Sequence, residues 1–535
     1  MKRYCILFFL LLAASVTSVA QVGDLPRSTP EAEGVNPVCI SNLYHVLDSN
    51  PDVDVHHLMI LRHGKVIGEI HASPYKATDK HMLYSASKTV TGLAVGLAVQ
   101  DGLLSIDDKV SKFLRDKMPA TLSPALDSLT VRNMLMMASG RKEDTDLYLS
   151  KEDWLTSWFQ GDFQGVGTEF HYDSMATHAL AMIICRLTGK PLLQYVKERI
   201  FDPLHITDFD WELAPDSVEI GGWGLRLHAE SEAKLGQLML QGGQWNGQQL
   251  VNEQWIQEMT KCQLVTDAKD KPNLSFFAKV RRWLSRTWHK ILSWFTGYNK
   301  SSYKAGYGYQ TKTVIKPRAD AFFAAGYGGQ LIYVVPKCDL VVVINGRAKT
   351  YGDEHNAFYD YLVVPLVSGD DPVALPKCDA MTVDMPQGEA TNPLEQKILG
   401  RRIVMGDNPM LIDDIVVNRK GDDLIFTMND YKGVFRAVAA CGEWRYTTGD
   451  ERPFYIMESI AQFVGTARPF TSVAAYGWQG DTLAMRVDWL DGGDNRRMKM
   501  AFDGEDVSIA ISDGYDHLLT DTIYGKFQPA NERHR

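Results

Sequence analysis

Tyr84-Ser85-Ala86-Ser87-Lys88 leads into an apolar series at helical spacing, Val90, Leu93, Ala94, Leu97 and Ala98, that stops at Gly102. Residues three apart on a helix share a face, so Ser85 and Lys88 can touch. A serine hydroxyl is a weak nucleophile until a base takes its proton, and a buried lysine can be that base. A helix N-terminus also brings amides and a positive dipole end to the reacting oxygen. The plainer reading of the same residues is a capping serine with a solvated lysine. What lies around them decides between the two.

Upstream, Val53 to Ile70 reads as a β-hairpin, with Leu58 to Leu61 as one strand, His63-Gly64 as the turn and Val66-Ile67 beginning the return. Downstream, one helix-rich stretch runs to Gly140. Another carries Ala179, Leu180, Ile183, Ile184 and Leu187 and ends at Gly189. Two later runs, Ala321 to Ala325 and Leu331 to Pro336, flank Gly326-Tyr327-Gly328-Gly329 and read as strands joined by a tight turn. Strand, helical block and strands together predict an α/β domain over residues 21–367, closed by a linker at 368–379 that begins Ser368-Gly369-Asp370-Asp371-Pro372. Residues 380–535 change character. Leu411 to Val417, Leu424 to Met428, the alternating Leu483, Met485, Val487 and Trp489, then Met498, Met500, Phe502 and Val507, Ile509, Ile511 predict a second, all-β domain.

Two further elements keep company with Ser85 and Lys88. Tyr172-Asp173-Ser174 precedes the Ala179 helix, and a tyrosine beside a cationic lysine can relay protons. By itself it is equally a core tyrosine at a helix start. Ala324-Ala325-Gly326-Tyr327 would let substrate approach a strand at the glycine, with the next amide facing an oxyanion. By itself it is a hairpin.

Taken in order, the three elements resemble the S-x-x-K, Y-x-N and K-T-G boxes of the serine β-lactamase and penicillin-binding-protein superfamily, in its class C-like and esterase-like branch. Arg62-His63-Gly64-Lys65-Val66, the run from Leu97 to Asp108 and the run from Leu129 to Gly140 are similar to the same branch. Pro30-Glu31-Ala32-Glu33-Gly34 and Gly326-Tyr327-Gly328-Gly329-Gln330 look most like relatives of 6-aminohexanoate-dimer hydrolase. The resemblance covers roughly residues 25–365. It implies a β-lactamase-like fold, an antiparallel sheet flanked by helices plus a helical subdomain. The C-terminal region is similar to the barrel-like appendages of some such enzymes. Implied roles are Ser85 as nucleophile, Lys88 and Tyr172 as the acid–base pair, and the amides of Ser85 and Tyr327 as oxyanion hole. Gly326 and Ser174 would stand beside the substrate. Two departures stand out. Ser174 replaces the usual asparagine, and Ala324 stands where the third box carries the cation that holds a substrate carboxylate. The latter argues against a true β-lactamase.

The remaining features bound the function. A net charge of -10 supplies no field for a nucleic-acid partner. Lys2-Arg3, the short apolar run Ile6 to Ala14 and Ser18-Val19-Ala20 read as a signal peptide over residues 1–20, so the chain is expected to be secreted, in the periplasm. Of seven cysteines none forms a C-x-x-C pair. His56-His57 and Asp353-Glu354-His355 lack metal-ligand spacing and are expected at the surface or in the hairpin; no metal or other cofactor is expected. An insert at 272–300 carries Trp283, Trp288 and other apolar residues at helical spacing over 276–298. Lys279, Arg281, Arg282, Arg286 and Lys290 lie between them, a pattern suited to a membrane surface, hence peripheral association, or to a lid. The expected partner is a small ester, amide or peptide. The leading reading is an amide or ester hydrolase. An acyltransferase serving a hydrophobic alcohol or amine acceptor is the alternative, and a non-catalytic binding protein the third.

Overall fold

Residues 340–348, a nearly unbroken apolar run, form the middle of an eight-stranded sheet that is covered on both faces. The computed structural model describes residues 24–142, 147, 153–266, 304–316, 318–348, 351–378, 380–430, 433–449, 470–513 and 520–528. The expected signal peptide and the amphipathic stretch 276–298 lie outside them. The sheet comprises β1 (Val53–Arg62), β2 (Lys65–His71), β3 (Leu264–Val265), β4 (Lys304–Tyr307), β5 (Lys312–Ile315), β6 (Ala321–Gly326), β7 (Gln330–Val335) and β8 (Leu340–Ala348). They are antiparallel throughout, in the order β2-β1-β8-β7-β6-β5-β4-β3.

Val341 and Val343 of β8 join the core on one face of the sheet, while Leu340, Val342 and Ile344 join the core on the other. A strand buried on both sides has no polar alternate positions, which is why the run reads as continuous. On the first face lies the helical block. Its central member, α2 (Ser87–Gln100, following α1 at Pro37–Asp48), has every residue from Ser87 to Ala98 buried. Only a helix enclosed on all sides tolerates that. Helices α3 (Ser174–Thr188, ending at Gly189) and α4 (Ala229–Leu240) pack around it and on the sheet. On the second face lie α1 and the helical segment 351–368.

The C-terminal domain is a closed barrel. Its strands are β9 (Arg402–Met405), β10 (Ile412–Lys420), β11 (Asp423–Asp430), β12 (Gly433–Cys441), β13 (Arg445–Gly449), β14 (Phe470–Gln479), β15 (Thr482–Trp489), β16 (Asp494–Asp503), β17 (Asp506–Asp513) and β18 (Thr520–Phe527). Nine of them, all but β13, form the ring, which a short parallel contact closes: Ala439 to Cys441 of β12 against Ala474 to Tyr476 of β14. The alternate residues Leu483, Met485, Val487, Trp489, Met498, Met500, Val507, Ile509 and Ile511 point inward as the barrel core.

Barrel and N-terminal domain meet through buried charge. Arg486 of β15 is 1% exposed and reaches Asp488 at 2.7 Å and Asp54 of β1 at 3.0 Å. Arg497 of β16 and Arg347 of β8 lie 3.3 and 3.6 Å from the same Asp54 carboxylate. Burial works to raise the Asp54 carboxyl, but the three guanidinium groups outweigh it and hold it ionised. Removing one member of such a network strands the others in a dry environment, so it ties the two domains together.

Next to this network lie His56 and His57, which stand in the β1–β2 hairpin, one of the two places expected for them, but not at the surface: both are buried, beside a bulge in β1. His56 Nδ1 lies 3.0 Å from His81 Nε2 and stacks on Tyr75, and His57 Nδ1 lies 2.8 Å from His71 Nδ1. Glu354 and His355 are buried as well, His355 against the rings of Phe323 and Tyr333. A bulge and a long-range docking surface leave no trace in local hydropathy. Free thiols are found at Cys39, Cys185, Cys262, Cys338 and Cys441.

The histidine cluster sets a pH dependence. Burial pushes the His81 imidazole down to about 4 and holds His56 and His57 well below their ordinary value. These rings are neutral in the fold, whereas the unfolded chain protonates them near pH ~6.5. The stability they preserve is complete above that pH and is lost as pH falls toward the folded value, on the order of 3 kcal/mol for His81 alone. The urea midpoint is expected to hold at neutral pH and to drop below about 6.5, with a shallower drop in His81→Gln. An unchanged wild-type midpoint across that window would show the cluster to be solvated.

Candidate active site

Ser85 stands in a 3₁₀ turn, Tyr84–Ala86, that runs directly into α2. Tyr84 just before it has φ +46°, a left-handed conformation that a bulky residue rarely takes. Several contacts hold the turn there. Ser87 Oγ donates to the Tyr84 carbonyl at 2.7 Å and accepts from the Leu225 amide at 3.2 Å, and the Leu83 amide donates to the Leu225 carbonyl at 2.9 Å.

Lys88, one helical turn on, is 1% exposed. Its Nζ lies 3.0 Å from Ser85 Oγ, 3.1 Å from Ser174 Oγ and 2.7 Å from the Gly222 carbonyl, and 4.8 Å from the Tyr172 ring centre. Four sequence-predicted residues, Ser85, Lys88, Tyr172 and Ser174, are thus brought together from two helix starts. Asp173, between Tyr172 and Ser174, caps α3 by accepting from the amides of Met175 and Ala176, and it also accepts from Ser139 Oγ at 2.7 Å. Capping fixes where α3 begins and so where its flanking side chains stand. Ser174 is 4% exposed, and its hydroxyl faces Lys88.

Gly326 ends β6 against this turn. A Cβ built there would lie 2.0 Å from the Leu83 carbonyl, so the glycine is required by the approach of the Ser85 turn itself. The sequence suggested only an approach by substrate. Tyr327 follows, 39% exposed, with its ring edge-on to Tyr84 at 5.9 Å. The fully buried Gln330 fixes the turn. Its Nε2 donates to the carbonyls of Tyr327 at 3.1 Å and Gly346 at 2.8 Å, and its Oε1 accepts from the Gly346 amide.

Ser85, Tyr172, Gly326 and Tyr327 line one cleft of about 440 Å³, together with residues the sequence reading had not singled out as site residues. Phe170, Tyr307 and Phe323 add aromatic walls, and Lys312 adds a cation. Lys312 stands on β5 in register with Phe323 of β6, its Nζ 6.0 Å from the Tyr172 ring centre. The sequence reading noted only that Ala324 carries no cation; the structure supplies one from the neighbouring strand. Ala324 is 1% exposed and packs in the core on the helical side, while a lysine from the next strand lines the cleft. The β-branched run Thr313-Val314-Ile315, read as a strand beside Ala321 to Ala325, would have located Lys312.

No group of three or more histidine, cysteine or acidic side chains arranged to hold a metal occurs among the described residues. At one end of the aromatic cleft the structure groups a hydroxyl, an amine and a phenol, those of Ser85, Lys88 and Tyr172.

The chain is 24% identical to 6-aminohexanoate-dimer hydrolase of Paenarthrobacter ureafaciens over 223 residues, 38% of this chain and 56% of that one. It is 28% identical over 169 residues to Protein flp of Staphylococcus aureus, 28% of this chain and 33% of that one. The chain thus spans about half the length of the first relative and a third of the second. The octameric penicillin-binding protein homologue of Pyrococcus abyssi superposes over 92% of this chain and 98% of its own, at a TM-score of 0.45 and 15% identity. The β-lactamase family profile matches residues 56–361, from β1 through the helical segment behind the sheet, with Ser85, Lys88, Tyr172 and Tyr327 all inside it. On that match, over more than half its length, the chain belongs to the β-lactamase family, a family of hydrolases.

Proposed function

We propose that this chain is a serine hydrolase that cleaves an amide or ester through an acyl-enzyme on Ser85. The observation that carries this is the Lys88 amine, buried and 3.0 Å from Ser85 Oγ at an open aromatic cleft. Lys88 takes the Ser85 proton as Oγ attacks the substrate carbonyl. The oxyanion that forms is held by the amides of Ser85 and Tyr327. Tyr172 protonates the leaving group and, as phenolate, takes a proton from the attacking water; the acyl group leaves as free acid, and Ser85 Oγ recovers its proton from Lys88. Ser174 and the Gly222 carbonyl hold the Lys88 amine in place.

The cleft lining narrows the substrate. Phe170, Tyr172, Tyr307, Phe323 and Tyr327 suit an apolar or aromatic body, and Lys312 suits an anionic group on it. The aromatic walls also favour a second reading, in which a hydrophobic alcohol or amine replaces water as acyl acceptor. Residues 1–20 support export to the periplasm as part of the same proposal.

Ser85→Ala is expected to abolish both turnover and labelling by a fluorophosphonate while leaving the fold intact. Lys88→Ala and Tyr172→Phe should each lower kcat by about 100-fold or more. A fully active Ser85→Ala protein would refute the assignment.

For the substrate, Lys312→Ala should reduce kcat/KM by about 10-fold or more on an ester bearing a carboxylate, and little on its neutral counterpart. Equal losses on both would show that Lys312 only shapes the cleft.

For the acceptor, mass spectrometry of products formed with a panel of hydrophobic alcohols separates hydrolysis from transfer. Free acid alone across the panel would exclude the transferase.

A further inference from the structure

The barrel reaches the nucleophile from behind. Its β15–β16 hairpin turns at Asp491-Gly492-Gly493-Asp494, and this turn touches the segment leading into Ser85 at two points. The Met82 amide donates to the Asp491 carbonyl at 3.0 Å. The Tyr84 hydroxyl donates to the Gly492 carbonyl at 2.9 Å, with Asp494 Oδ2 at 3.5 Å. Tyr84 is 5% exposed, and with Met82 it forms a small apolar cluster separate from the main cores of both domains.

Tyr84 is also the residue whose left-handed backbone aims Ser85, and its ring packs edge-on to Tyr327, on the other side of the cleft mouth. An uncommon backbone conformation persists only where its surroundings over-determine it. Part of that determination here comes from another domain, 408 residues further along the chain. The same hairpin is anchored by β15, whose Arg486 grips Asp54 of the catalytic sheet. The barrel turn therefore has a fixed position relative to the site.

We infer that the β15–β16 hairpin of the barrel is a positioning element of the active site, acting through Tyr84, which holds Ser85 at the reacting distance from Lys88. Tyr84 is a positioning residue in this account; it touches neither substrate nor the reacting atoms. The barrel is consequently part of the catalytic apparatus. The inference rests on the reading of Ser85 as nucleophile.

The test uses the full chain and the rate at which a fluorophosphonate labels Ser85, with Ser85→Ala as the unlabelled control. Tyr84→Phe keeps the ring and removes the hydrogen bond to Gly492. It is expected to slow labelling, and kcat with it, about 10-fold or more, because small displacements of a reacting group carry large rate penalties. KM and the melting temperature should stay close to wild type.

Gly493→Ala approaches from the barrel side, since Gly493 has φ +71° and an alanine there strains the turn. It should slow labelling in the wild-type background and have no additional effect in Tyr84→Phe. If both variants label at the wild-type rate, or if they lose only stability while the folded fraction labels normally, the inference is overturned. If the wild-type protein itself is not labelled at Ser85, the underlying functional reading fails instead.

Discussion

A single amine, sealed from solvent among oxygens, organises this molecule. Lys88 can reach Ser85 Oγ only if α2 begins where it does, and it is sealed only if α3 and the Gly222 segment close over it. Burying a lysine is costly unless its polar head finds partners, and here oxygens from three separate stretches of chain lie within hydrogen-bond distance of it. The helical block is packed to satisfy that requirement. Asp173 fixes the start of α3, and Ser87 ties the Ser85 turn to Leu225. Loss of the Asp173 or the Ser87 tie would both loosen the fold and displace the site, so stability and reactivity share these contacts.

The sheet side shows the same economy. Gly326 is small because the Leu83 carbonyl occupies the space a side chain would need. Gln330 is buried because the tight turn of Tyr327, Gly328 and Gly329 leaves carbonyls to be satisfied. These residues lie in the stretch that in sequence looked like a motif for substrate. Much of its chemistry is internal, and it presents the Tyr327 edge of the cleft only once the backbone has been fixed.

The parts of the molecule written in local pattern were legible before any coordinates. The β1–β2 hairpin, α2 with Ser85 and Lys88, α3 ending at Gly189, the β6–β7 turn and the alternating strands of the barrel all announce themselves by period and punctuation. Helical spacing paired Ser85 with Lys88, and the resemblance to the family's ordered boxes joined Tyr172 to them. Lys312 was not legible in this way. It enters the cleft by register between β5 and β6, which pairs it with Phe323, and register is a property of two strands at once. The burial of His56 and His57 was hidden for a related reason. A bulge turns them inward, and the surface that covers them comes from residues 71–81 and from the barrel. The Tyr84 to Gly492 contact spans most of the chain and has no signature in either segment.

The thiols have a bearing on how the chain is made. Cys39, Cys185, Cys262, Cys338 and Cys441 stand unbridged, and burial raises the thiols of Cys39, Cys185, Cys338 and Cys441 above their ordinary range. A protonated, enclosed thiol is a poor nucleophile toward oxidants or other disulfides. The links between the domains among the described residues are ion pairs, hydrogen bonds and apolar contacts, none of which needs an electron acceptor to form. Folding at these five positions thus calls for no oxidase and no isomerase, and reducing agents should leave the assembled enzyme indifferent there. If the first twenty residues act as the proposed export signal, that is a form of independence: these five positions make no demand on the redox poise of the compartment in which the chain folds.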